Sequence, residues 1–166
     1  MRWSELFDDL EAQLMHAERE AFEDEVRERA TAERAAISLG SVLAASEGAR
    51  VRVTLAGGER LEGVVRDAAA QWILVGEGAR EWLIPVGAIT ALDGVEPGAG
   101  EPGLVASRLT LGHALRALAE DHTAVVVATR GSNARGRITA VGADYLVVEG
   151  TVVPFAAILT VAPAPA

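Results

Sequence analysis

Apolar residues recur along this 166-residue chain with two periods, and the change from one to the other marks its organisation. The first 37 residues contain neither Gly nor Pro, and Trp3, Phe7, Leu10, Leu14, Ala17 and Ala21 alternate spacings of four and three. That spacing predicts an amphipathic helix over residues 1–37 with one apolar seam. The register then slips to Phe22 and Val26, beyond which Glu and Arg dominate. At 1.5 Å per residue such a helix extends roughly 50 Å, longer than a small domain is wide. Two placements fit it equally: packing on a partner, or folding back over its own chain.

From residue 38 the pattern changes. SLGSVLAASEG places Leu39, Val42 and Leu43 on one face of a short helix, with Gly48 suited to its C-terminal cap. Period two follows. Val51, Val53 and Leu55 alternate with Arg52 and Thr54, Gly57-Gly58 supplies a turn, and Leu61, Gly63 and Val65 return on the buried side. WILV from Trp72, EWLIPV from Glu81 and AITAL from Ala88 complete five predicted strands. In EWLIPV both faces are apolar, so Trp82 is a candidate contact residue on a strand buried between its barrel and another surface; burial under the long helix accounts for the pattern equally well.

EPGAGEPG, residues 96–103, reads as a linker. After it the phrase repeats. At a spacing of 72, Leu39 meets Leu111, Gly40 meets Gly112, Leu43 meets Leu115, Val53 meets Val125 and Leu55 meets Val127. With one residue inserted in the hairpin, Gly63 meets Gly136, Val65 meets Ile138 and Trp72 meets Tyr145; after a shortened third hairpin, Pro85 meets Pro154 and Ile89 meets Ile158. Paired glycines, prolines and aromatics in one order imply an internal duplication. The expected organisation is a helix over 1–37, one barrel over 38–95, a linker over 96–106, a second barrel over 107–161 and a disordered tail over 162–166.

A short helix, five strands, a Gly within the second strand and a Pro-bearing last turn describe a small SH3-like barrel. The phrase V-x-V-x-L-x-x-G-x-x-L-x-G-x-V over residues 51–65, followed by WILV and LIPVGAITAL, resembles the Sm-like (LSm) fold, most closely its bacterial RNA-chaperone version. The expected fold class is therefore mainly β with α: a long N-terminal helix followed by two Sm-like five-stranded barrels, each preceded by a short helix. The resemblance implies a protein that assembles with neighbouring copies through strand edges and that binds RNA. The family's RNA-contacting Asp and Asn fall on Ala69 and Ile73 in the first repeat, and on Gly142 and Leu146 in the second. Its Arg-Gly pair falls on Pro85 and Val86, its Lys-His pair on Val86 and Gly87, and the second repeat offers Phe155 and Ala156. None of these side chains supplies the family's donors.

Charge narrows the choice of partner. The net charge is −9, with 11 acids and 5 Arg over residues 1–37 but 4 acids and 5 Arg over residues 107–166. Phosphate binding depends on positive charge displacing counterions, so only the last third suits a polyanion unaided. There Arg130, Arg135 and Arg137 cluster in TRGSNARGR, the candidate nucleic-acid surface. Cysteine and lysine are absent, which excludes disulfides, thiolate metal sites and a phosphate-loop lysine. His16, His113 and His122 have no spacing that brings two together as ligands.

We therefore expect no enzymatic activity, no cofactor and no metal site. The expected protein is a cytoplasmic scaffold or adaptor that acts through protein–protein contacts and forms a homo-oligomer, with Trp3, Phe7, Leu10, Leu14 and Trp82 as partner-binding residues. The alternative is a regulator that binds RNA or DNA through Arg130, Arg135 and Arg137. No apolar run approaches the roughly 18 residues of a membrane span.

Overall fold

The computed structural model describes residues 3–98 and 109–165, with side chains from residue 12 onward. It divides into two compact units, Met1–Ala36 and Ile37–Ala166. The first is one helix, α1, Trp3–Ala35. Exposed ion pairs one turn apart line its surface, Arg27 with Glu23 and Asp24 and Arg29 with Glu25, and the His16 ring contacts Glu20 at the same spacing. Such pairs contribute only tenths of a kcal/mol each.

In the second unit each repeat is a helix followed by five strands. The first contains α2 (Leu39–Ala45), β1 (Arg50–Leu55), β2 (Arg60–Ala68), β3 (Trp72–Glu77), β4 (Arg80–Pro85) and β5 (Ile89–Asp93). The second contains α3 (Leu111–Glu120), β6 (Ala124–Thr129), β7 (Asn133–Val141), β8 (Tyr145–Val148), β9 (Thr151–Pro154) and β10 (Ile158–Pro163). Ser38 caps α2 by accepting from the Ser41 N–H. Thr110 and His113 form a reciprocal capping box on α3. Gly48 lies past the end of α2, where Ser46 rather than Gly48 is the cap residue.

The two expected five-stranded barrels are not what the chain builds. All ten strands join in a single open antiparallel sheet in the order β5-β1-β2-β3-β4-β10-β6-β7-β8-β9. The joint is β4 against β10, with Leu83 opposite Val161. Alternating apolar residues specify which face of a strand is buried but not which strand its free edge will choose. Here the edge of β4 chooses the last strand of the other repeat, and the sheet continues instead of closing.

Two cores result. The first gathers Leu43, Val51, Val53, Leu55, Val65, Ile73, Val75 and Ile84, together with Leu159 from the second repeat. The other gathers Leu115, Val125, Val127, Ile138, Leu146, Val148, Ile158 and Val161, together with Ala69, Trp72 and Leu83 from the first repeat. Successive residues of β3 and β4 thus serve different cores: Trp72 one and Ile73 the other, Leu83 one and Ile84 the other.

The duplication is visible in the pairing, with its register corrected. Val53 lies opposite Leu92 in the first repeat and Val127 opposite Val161 in the second, so the first strands correspond at 74 rather than 72. The longer helix takes up the difference: α3 has 10 residues and α2 has 7. The following hairpin is shorter in the second repeat, since Leu55 N–H reaches Glu59 O whereas Thr129 N–H reaches Ser132 O. Both second strands bulge at the same place, Val65/Asp67 and Ile138/Ala140.

The paired glycines of the two helices have different surroundings. A Cβ on Gly40 would lie 2.9 Å from the Ala70 Cα, whereas the nearest atom to one on Gly112 would be 3.6 Å away, at the tip of Arg116. Gly40→Ala must push α2 off the sheet and should cost about 1–3 kcal/mol. Gly112→Ala should be neutral or stabilise by up to about 1 kcal/mol, since Ala favours a helix over Gly. Urea denaturation of both variants checks this; equal effects would remove the distinction.

Candidate interaction surfaces

Within the second unit the residues singled out in the sequence do not converge on one site. Leu14 is exposed on α1, in company with Met15, Phe22 and Val26. The side chains of Trp3, Phe7 and Leu10 lie outside those described, as do linker residues 99–106 and Ala166. Trp82 is half-buried. It lines a cleft of about 420 Å³ with Arg80, Glu81, Val126, Pro163 and Pro165, beside the β4–β10 joint.

Arg135 and Arg137 are both exposed on β7. Arg135 is already engaged: its guanidinium donates to the Pro165 carbonyl at 2.9 Å, and Ala164 N–H donates to Ala124 O, which ties residues 164 and 165 to the sheet. Residues 162 and 163, expected in a disordered tail, are the end of β10. Arg130 sits apart at the β6–β7 turn, beside a cleft of about 430 Å³ lined with small residues of the 3-10 turns Val86–Ala88 and Phe155–Ala157. The three arginines therefore occupy two places rather than one patch.

In the first repeat the corresponding strand pair carries opposite charges. Arg52 Nε donates to Glu62 Oε1 at 2.6 Å across β1 and β2. The hydrogen bond and charge of Arg52 hold the Glu62 carboxyl below the usual carboxylate range, and Glu62 raises the Arg52 guanidinium further. A depressed carboxyl stabilises above its unfolded pKa and loses that contribution as pH falls. Both groups are exposed, so solvent screens the pair and its weight in folding is slight.

Between the repeats the polar contacts are more specific. Trp72 Nε1 donates to the Leu109 carbonyl at 3.0 Å, and the Gln71 side-chain oxygen accepts the Leu111 N–H at 3.0 Å. The first repeat thereby holds the start of the second repeat's helix. These contacts have no signal in alternation or spacing, because they depend on the two repeats meeting.

Among the described residues no group of three His, Asp or Glu could hold a metal ion. His113 is occupied in the capping box of α3, and His16 pairs with Glu20 at 3.3 Å. No described helix is long and apolar enough to cross a membrane. The chain matches no protein-family model and no curated protein sequence.

Trp72→Phe keeps the ring in its core and removes the donor to Leu109. It should cost about 1–2 kcal/mol, read from the urea midpoint, by losing one hydrogen bond and part of the ring's volume. A midpoint within error of the parent would show that this bond does not help to hold the repeats together.

Proposed function

We propose that the protein is a non-enzymatic scaffold or adaptor of the cytoplasm, which works by binding protein surfaces and assembles with copies of itself. One observation carries the reading: α1 offers large apolar side chains to solvent, with Leu14 61% and Phe22 67% exposed beside Met15 and Val26. A helix of this length draws little stability from its exposed ion pairs, and most helices in proteins are stabilised by packing an amphipathic face. An apolar stripe left open on such a helix marks a place for a partner.

Nucleic-acid binding is supported less well. The arginines named for it are split between two places, one of them already donates to the chain's own C-terminal segment, and a net charge of −9 opposes a polyanion.

Leu14→Glu combined with Phe22→Glu tests the reading without touching either core. The variant should keep its helical circular dichroism while its mass by light scattering falls or its set of bound proteins shrinks. An unchanged mass together with an unchanged partner set would sink the proposal for α1. Nucleic acid in the purified protein, seen as a raised 260 nm absorbance, would favour the competing reading.

A further inference from the structure

Four residues at a spacing of seven run along α1: Asp8, Met15, Phe22 and Arg29. Seven residues are close to two helical turns, so the series follows one face of the helix with a drift of about 20° at each step. Val26, four residues past Phe22, falls beside it on that face. Met15 is 57% exposed, Phe22 67% and Val26 49%, which leaves the middle of the face apolar and open. The two outer positions carry opposite charges, acid toward the N-terminus and base toward the C-terminus.

The order acid, apolar, apolar, base has a property that an apolar stripe alone lacks. Set against a reversed copy of itself, it matches at every place: Asp8 falls level with Arg29, Met15 with Phe22, Phe22 with Met15 and Arg29 with Asp8. Set against a copy running the same way, the apolar positions still meet, but Asp8 meets Asp8 and Arg29 meets Arg29. The whole helix shares this bias. Residues 3–18 hold five acids and no Arg, whereas all four Arg of α1 lie in residues 19–35. A reversed copy brings those arginines to the acidic half, and a parallel one brings the acidic halves together.

We infer that α1 pairs with the α1 of a second copy of this chain, antiparallel and in the register that sets Met15 level with Phe22. The inference rests on the proposed scaffold role and names the partner, direction and register of the α1 contact. Burial of Met15, Phe22 and Val26 drives the association. The charges select its direction, because exposed ion pairs add little affinity while like charges held level oppose the wrong arrangement. Arg29 is free to take part. Its Nη2 reaches Glu25 at 2.7 Å, yet the side chain remains 75% exposed, and a guanidinium has further N–H donors. Such a contact uses the same surface of both chains, so it closes at two.

Exchange of the two charges tests the inference on the full chain. Light scattering across a concentration series should show wild type reaching the mass of a dimer. Asp8→Arg and Arg29→Asp each set like charges level at both ends of the pair, and each variant should need about three- to tenfold more protein to dimerise. The chain carrying both substitutions restores opposite charges and should return most of the way to wild type. That double variant decides the matter, because it bears the cost of both changes to the helix and regains association only through the cross-chain pairs. Direction has a readout of its own. The chain has no Cys, so Asp8→Cys and Arg29→Cys chains, mixed and mildly oxidised, should join position 8 to position 29 rather than 8 to 8 or 29 to 29. Wild type that stays monomeric, a double variant no better than the single ones, or 8-to-8 disulfides as the main product would each overturn the inference. Monomeric wild type that still loses bound proteins on Leu14→Glu with Phe22→Glu would refute this pairing and leave the scaffold reading standing.

Discussion

Strands β3 and β4 have no polar face, and the rest of the second unit is arranged around that constraint. Trp72, Ile73, Leu74 and Val75, with Leu83 and Ile84, alternate into two different cores. A strand apolar on both sides must be covered on both sides. Its own repeat covers one side with α2 and the first core; the other side is covered by the second repeat. Removing the second repeat would open Trp72 and Leu83 to water and leave the Nε1 of Trp72 without the Leu109 carbonyl. At about 25 cal/mol per Å² of apolar surface, two such side chains account for several kcal/mol, a large share of the stability of a domain this size.

The same constraint explains how the repeats differ. β8 and β9 have four residues each where β3 and β4 have six. Thr151 replaces Trp82, and Tyr145, with a polar tip, replaces Trp72. Each change lowers the apolar load on β8 and β9, where Tyr145 and Val152 are exposed. Val152 keeps its apolar character in spite of this.

The helix, the repeats, the strands and their turns were legible in the sequence because each rests on a local rule. Period 3.5 marks α1, period two marks the strands, and Gly-Gly or Arg-Gly marks the turns. The apolar second face of EWLIPV pointed to a strand between two surfaces, and β4 is one. What was not legible depends on long-range choice. Pattern does not state whether β4 turns back to its own repeat or crosses to β10, so two five-stranded barrels were expected where one open sheet stands. The spacing of 72 holds for the helices but misplaces β6 by two residues, because two half-buried strands match equally well at any even offset. Arg135 belongs by sequence to a candidate nucleic-acid surface with Arg130 and Arg137, and no local rule announces that Pro165 comes to meet it.

An open sheet with two bare edges invites indiscriminate pairing, and natural proteins restrain such edges by shortening, charging or breaking them. Here the restraints are uneven. β9 is four residues long and ends at Pro154, which has no N–H to give. On β5, Thr90 turns its hydroxyl back to the Thr54 and Leu55 carbonyls, and Asp93 sets a charge at the far end. A flat, long edge would accept any strand, whereas a short one rewards only a partner whose side chains also fit beside it.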